Sequence, residues 1–306
     1  MPLTPRGPVL DHLSYSTIEK MACPKKFELQ KVAKVESQPS MAGVGGKAAH
    51  SLTEEWDRQD CPDWSDEDWT GHAEMILGGE VADTQNSTGV PVEQWRVSGR
   101  ESKAWPNKED LSWWEHHLPL FGKAYAAWRT SHPHLTPWVT PDGEPARELA
   151  LRVQLPGCES CPPLVGYVDV VMTDATRGGA LVVLDLKFGS MMPEDLVQLA
   201  TYAAMVETRY GPEYRPALGA IYSGRKGRLT PIFKDGAELM PLGHLPTSVI
   251  SGRVADYWAL ISTGRYPARP GRHCSWCDVR SACVWAKGPQ AWLYDSSHPF
   301  YRKETA

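Results

Sequence analysis

The run Ala180-Leu181-Val182-Val183-Leu184 is apolar without alternation and ends in Asp185-Leu186-Lys187. An unbroken β-branched and aliphatic run of this kind reads as a central strand covered on both faces, so the chain must lay helices over a sheet. Just upstream, Asp174–Gly179 has turn chemistry that makes Leu164–Thr173 and Ala180–Lys187 an antiparallel hairpin. That hairpin places the carboxylate of Asp169, in Gly166-Tyr167-Val168-Asp169, next to Asp185 and Lys187 at adjacent strand ends. Paired carboxylates hold Mg²⁺ or Mn²⁺, and a neighbouring lysine orients an attacking water or stabilises charge on a phosphodiester under hydrolysis. An acid among the apolar residues of Val165–Val171 needs a partner to offset its desolvation. Asp185 and Lys187 also share a strand face and can be a simple ion pair, but that reading leaves Asp169 unexplained.

Other elements follow from period and caps. Ser16-Thr17-Ile18-Glu19 fits a capping box opening a first helix, and Pro24 suits the first position of another that extends to Lys34. After a loop over Ser37–Gly43, Gly45–Trp56 reads as a helix with His50 and Glu54 on a common face. Residues 57–99 are acidic, Trp-rich and poorly periodic, the mark of an insertion or lid. A helix is expected over Lys108–Thr130, strands over Glu148–Leu155, Ala217–Tyr222 and Leu229–Phe233, and helices over Pro193–Tyr210 and Thr247–Thr263.

The order of helix with His50, strand with Glu148, strand with Asp169, strand with Asp185-x-Lys187 and helix with Gln198-x-x-x-Tyr202 resembles the RecB-like branch of the PD-(D/E)XK nuclease superfamily. The resemblance spans most of the chain and implies an α/β restriction-endonuclease-like core with a mixed central sheet flanked by helices. By that resemblance Asp169 and Asp185 bind the metal, the Leu186 carbonyl adds an oxygen, His50 completes the set and favours Mn²⁺ alongside Mg²⁺, and Lys187 is the catalytic lysine. Gln198 and Tyr202, one turn apart, sit over the site and touch the DNA backbone or the lysine. Glu148 stands as a second-metal or supporting carboxylate, or as a strand-edge charge. The implied activity is that of a metal-dependent DNA exonuclease in recombination, repair or genome processing, like phage-encoded or CRISPR-associated members, with recombination or CRISPR-type proteins as partners.

Seven cysteines in a chain whose N-terminus lacks an apolar leader and which has no long apolar run imply the reducing cytosol, where disulfides are not expected. Cys274-x₂-Cys277-x₅-Cys283 with the early Cys23 resembles the iron–sulfur subset of these nucleases, AddB-type and CRISPR-associated exonucleases among them, in which four such cysteines hold a [4Fe–4S] cluster. A C-terminal iron–sulfur subdomain is then implied. The division is 1–44 as an N-terminal helical segment carrying the first cysteine, 45–264 as nuclease core with an insertion over about 57–135, and 265–306 as cysteine cluster and tail. The competing set, Cys158 and Cys161 with Cys274 and Cys277, has zinc-ribbon spacing and corresponds to a zinc-binding interaction module.

A net charge of −5 argues against a generically basic nucleic-acid binder but allows a locally basic groove. Gly43-Val44-Gly45-Gly46-Lys47 lacks phosphate-loop spacing and a following Ser/Thr, which excludes an ATPase; the glycines instead permit close approach to the helix bearing His50. Arg225, Lys226 and Arg228 mark a turn that either contacts phosphates or is solvated. The 13 tryptophans pack the core or lid, or stack on bases. A non-catalytic DNA-binding adaptor that keeps the nuclease fold is the remaining alternative, and the intact Asp-x-Lys argues against it.

Overall fold

A computed structural model of the chain describes residues 10–20, 22–190, 192–193, 195–233 and 236–299. In chain order the helices are α1 (Tyr15–Lys20), α2 (Pro24–Phe27), α3 (Met41–Arg58), α4 (Asp66–Thr88), α5 (Leu111–Ser131), α6 (Val197–Tyr210), α7 (Thr247–Ser262) and α8 (Ala291–Tyr294). The strands are β1 (Leu135–Pro137), β2 (Arg147–Val153), β3 (Leu164–Asp174), β4 (Ala180–Lys187), β5 (Leu218–Ser223), β6 (Arg228–Leu229) and β7 (Met240–Pro241). Two compact units emerge, one comprising Met1–Gln38, Arg152–Val165 and Ser248–Ala306, the other Pro39–Leu151 and Gly166–Thr247. No helix among the described residues is long and apolar enough to cross a membrane.

The mixed sheet runs β1-β3-β4-β5-β6, with β2 also on β3 and β7 on β5. The expected hairpin is present: β3 and β4 pair antiparallel from Val170↔Leu184 to Asp174↔Ala180. Gly178 and Gly179, at φ of 66° and 82°, close its turn in the left-handed region that glycine enters without a Cβ clash. β4 and β5 pair in parallel from Val182↔Leu218 to Lys187↔Ser223, so α6 is the crossover that a parallel pair requires. The apolar run is therefore the interior strand of the sheet. Val182, Leu184 and Leu186 join a core built with α3, α4 and α5. By strand alternation Asp185 and Lys187 project from the opposite face of β4.

Helix boundaries depart from expectation where capping was misjudged. Ser14 rather than Ser16 caps α1, its Oγ accepting from the Thr17 amide at 3.2 Å. The stretch expected as a loop before Gly45 is already helix, because Ser40 Oγ accepts from the Gly43 amide at 3.2 Å and starts α3 at Met41. Residues 57–99, expected to be poorly ordered in period, contain the 23-residue α4. Ser65 and Asp68 form its capping box and Gly89 ends it at φ 67°. Only Trp69, Ala73 and Leu77 are buried, a stripe too narrow to impose a visible period on the sequence. Conversely, the strand expected over Leu229–Phe233 is only Arg228–Leu229, since Pro231 has no amide to donate to a ladder.

The glycine expectation at α3 holds at Gly45. A Cβ there would lie 2.0 Å from the Trp114 ring, and Trp114 itself is fully buried, so only glycine lets α3 and α5 close over it. Trp56, Trp69, Trp95, Trp113 and Trp128 belong to the same core, which assigns these tryptophans to packing.

In the other unit, Pro24 opens α2 with Cys23 at the N-cap position, as expected, and the helix relaxes into a π turn over Glu28–Val32. Lys25, 5% exposed, ion-pairs with Glu28 and, at 3.2 Å, with the fully buried Asp295. Asp295 also accepts from the Val284 amide at 2.9 Å. Gln30 donates to Asp278 at 2.6 Å, and Lys26 pairs with the same carboxylate at 3.1 Å. Leu29 packs on Val279 and Ala282 with Cys277 and Cys283 alongside. Residues near the two ends of the sequence thus form one small core.

Gly45→Ala forces the added methyl into Trp114, and overpacking of this kind costs about 1–3 kcal/mol. Urea denaturation should show the midpoint reduced with the slope unchanged.

Candidate active site

The carboxyl end of β4 supplies the first two groups. Asp185 is 1% exposed, and Lys187 Nζ stands 3.0 Å and 2.8 Å from its two oxygens. The neighbouring strand brings Asp169, whose Oδ2 accepts from the Leu186 amide at 2.6 Å. Leu186 itself is buried in the core. From α3, His50 Nδ1 reaches to 3.7 Å from Asp169 Oδ2 and 3.6 Å from Glu148 Oε1. Glu148, on β2, has a φ of 43°, a left-handed conformation unusual for a non-glycine residue. On α6, Gln198 Nε2 donates to the Tyr202 hydroxyl at 3.1 Å, and Tyr202 is 8% exposed.

Ligand atoms of His50, Glu148 and Asp169 all lie within 4.8 Å of one another, and among the described residues this is the one such group of three. Two carboxylates and an imidazole are a donor set for a hard or borderline divalent cation, Mg²⁺ or Mn²⁺ in particular. The residues therefore fit a metal, and Glu148 is one of the three that would hold it. Asp185 is not one of the three; its carboxylate is engaged by Lys187 while its charge is felt across the site.

The electrostatics carry the signature of an uncompensated anionic cluster. Burial pushes Asp169 up to about 7, against the lowering pull of His50, with Asp185 and Glu148 adding to the rise. Burial disfavours a charged His50, yet Asp169, Glu148 and Asp185 outweigh it and lift the imidazole to about 9. Burial also raises Asp185 against the pull of the Lys187 ammonium, and raises Tyr202 against its bond from Gln198. A proton on His50 stands where a cation would otherwise balance the acids.

An open groove of about 430 Å³ runs beside the trio, lined also by Lys47, Ser51, Glu54 and Glu80, with Lys47 paired to Glu80 at 3.3 Å. Sequence reading missed Lys47 and Glu80 because their proximity is created by the packing of α4 on α3. Phe188, next to the lysine, presents its ring edge-on to His50 with centroids 5.4 Å apart. Of the basic turn, Arg225 points inward: it donates to Glu109 at 2.9 Å and to the Phe188 carbonyl at 3.1 Å, and lies 4.8 Å over Trp113. Lys226 and Arg228 are exposed.

Cys23, Cys274, Cys277 and Cys283 are unpaired thiols of one compact unit. Burial raises the thiols of Cys277 and Cys283, and Cys23 acts on Cys283 while Cys283 acts on Cys277, so these three are electrostatic neighbours. Cys158 and Cys161, expected to stay reduced, are instead joined as a disulfide with Cα atoms 5.3 Å apart.

Residues 12–284 match the PD-(D/E)XK nuclease superfamily. The chain is also similar to the Gene 69 protein of Mycobacterium phage D29, 32% identical over 224 residues that cover 67% of this chain and 72% of that protein.

His50 titrates at 6.5 when free and about 9 when folded, so its contribution to the stability of metal-free protein is complete below pH 6.5 and vanishes as the pH rises through 9. Asp169, shifted from 3.8 to about 7, contributes below pH 3.8 and no longer above 7. Urea midpoints in EDTA should therefore fall as pH rises between 6.5 and 9.

Proposed function

The chain belongs to the PD-(D/E)XK nuclease superfamily, and on that footing we propose that it is a Mg²⁺- or Mn²⁺-dependent DNA exonuclease acting at DNA ends or on single strands. Membership implies metal-dependent nuclease activity. The observation that carries the reading to this chain is the convergence of His50, Glu148 and Asp169 beside the Asp185–Lys187 pair.

In this proposal His50, Glu148 and Asp169 hold the cation, with Asp185 and the Leu186 carbonyl as further oxygen donors. When bound, it supplies Lewis acidity and a lowered pKa for water. The chain's own residues do the rest. Lys187, held by both oxygens of Asp185, directs an ammonium at the negative charge developing on the phosphoryl oxygens. The hydroxyl of Tyr202 stays protonated because burial raises its pKa. Since Gln198 already donates to that oxygen, the Tyr202 proton is directed to another acceptor, which we take to be a DNA phosphate oxygen. The exposed Lys226 and Arg228 add sequence-independent phosphate contacts.

We further propose that Cys23, Cys274, Cys277 and Cys283 hold a [4Fe–4S] cluster. Their gathering in one unit supports this, as do the part-buried thiols of Cys277 and Cys283, which a cluster would keep ionised. The cluster would fasten residues from the two ends of the sequence, affecting DNA binding more than chemistry. A cytosolic role in recombination or repair, of the kind phage-encoded nucleases serve, completes the proposal.

End-labelled single- and double-stranded DNA should be degraded by anaerobically purified protein with Mg²⁺ or Mn²⁺ but not with EDTA. Lys187→Ala should lose on the order of 10²–10³-fold in rate, the scale expected for one charge-stabilising donor. Release of labelled mononucleotides identifies an exonuclease and internal fragments an endonuclease; no cleavage by protein that still binds Mn²⁺ would instead favour a DNA-binding adaptor. Iron and acid-labile sulfide should co-purify with the wild type and be lost from Cys23→Ser, whereas stoichiometric zinc would overturn the cluster assignment.

A further inference from the structure

His50 and Asp57 are two turns apart on α3 and so lie on one side of that helix. The metal trio accounts for His50 but leaves Asp57 unexplained. Asp57 is 2% exposed, and its carboxylate joins three elements. Its Oδ2 accepts from the Tyr125 hydroxyl at 2.6 Å, and its Oδ1 lies 3.4 Å from Arg129 Nε and 4.0 Å from Arg147 Nη2. Arg147 Nη1 also donates to the Asp57 backbone carbonyl, so one guanidinium engages both the side chain and the main chain of the same residue. A small cavity has His50, Glu148 and Asp169 on its walls together with Asp57, Tyr125 and Arg147, which makes the buried network contiguous with the candidate site.

Arg147 directly precedes Glu148, the residue with φ of 43°. A left-handed non-glycine residue persists only where its surroundings over-determine it. Arg147 supplies such a constraint, because its guanidinium ties β2 to the same helix that carries His50. We propose that Arg147, clamped by Asp57, is a positioning residue: it holds the Glu148 backbone in the left-handed conformation that stands its carboxylate beside His50, and so sets the affinity for a divalent cation it does not touch. The proposal rests on the metal-site reading above. A merely structural network would stabilise the fold without regard to what Glu148 does.

Calorimetric titration of the full chain with MnCl₂ separates these possibilities. Glu148→Gln and Arg147→Gln should each weaken Mn²⁺ binding, by about 10- to 100-fold for residues that ligate or orient a ligand. If Arg147 acts through Glu148, the double variant should bind no more weakly than Glu148→Gln alone, whereas independent effects would multiply. Arg147→Lys keeps the charge but gives up the fork that reaches two acceptors, and should fall between wild type and Arg147→Gln. If Arg147→Gln does not fold, Arg147→Lys with and without Glu148→Gln runs the same cycle. Wild-type affinity in a folded Arg147 variant, or full multiplication in the double variant, overturns the positioning role. Unchanged affinity in Glu148→Gln, or no Mn²⁺ binding by the wild type, overturns the metal-site reading itself.

Discussion

Three carboxylates, Glu148, Asp169 and Asp185, are brought together at one end of a sheet whose body is apolar, and the cost of burying Asp169 and Asp185 there, increased by repulsion from neighbouring acids, is the constraint that organises what surrounds them. Left alone in a low-dielectric setting, such groups would take up protons. The chain answers with one ammonium, from Lys187 on Asp185, and one imidazole, from His50 between Asp169 and Glu148. Two cations against three anions leave the cluster under-compensated. Burial first, and the neighbouring carboxylates after it, raise the affinity of Asp169 for protons, while at His50 those carboxylates overcome the effect of burial; a divalent cation would balance the same charge.

Holding that cluster places demands on parts of the fold far from it in sequence. α3 must lie close enough to the sheet for His50 to reach β3, and the Gly45–Trp114 contact sets how closely α3 packs on α5. The antiparallel pairing of β3 with β4 brings Asp169 to the Leu186 amide, while the parallel pairing of β4 with β5 buries the strand that ends in Asp185 and Lys187. Ion pairs inside such a frame are not there chiefly for stability, since buried pairs gain little over apolar packing. Their retention makes sense as the means of arranging charge for chemistry.

The smaller unit meets a different problem with similar means. There polar links accompany the apolar packing around Leu29: Lys25 with Glu28 and Asp295, which are largely buried, and Asp278 with Gln30 and Lys26, which are part-buried. These links gather the thiols of Cys23, Cys277 and Cys283 into one neighbourhood without any bond between them.

Much of this was written locally. An unbroken apolar run reveals an interior strand because a strand buried on both faces has no polar side to show, and turn residues reveal the hairpin because backbone geometry at Gly178 and Gly179 is a nearest-neighbour matter. Asp169, Asp185 and Lys187 followed as candidates from those two facts, while the family resemblance needed the order of all five elements, His50 to Tyr202. α4 stayed hidden because its buried stripe is a single row of three residues, and the early start of α3 because Ser40 outweighs the glycines that follow it. No local pattern could announce the left-handed Glu148, the inward turn of Arg225, or the bonding of Arg147 to Asp57, since each depends on residues that meet only after helices and strands have packed. Sequence alone therefore determined the interior strand and its hairpin, with Asp169, Asp185 and Lys187 on them as candidates, because turn chemistry and apolar runs are short-range; tertiary structure decided the short strands β1, β6 and β7 and which of the acids stand beside His50, because only packing sets distances between elements far apart along the chain.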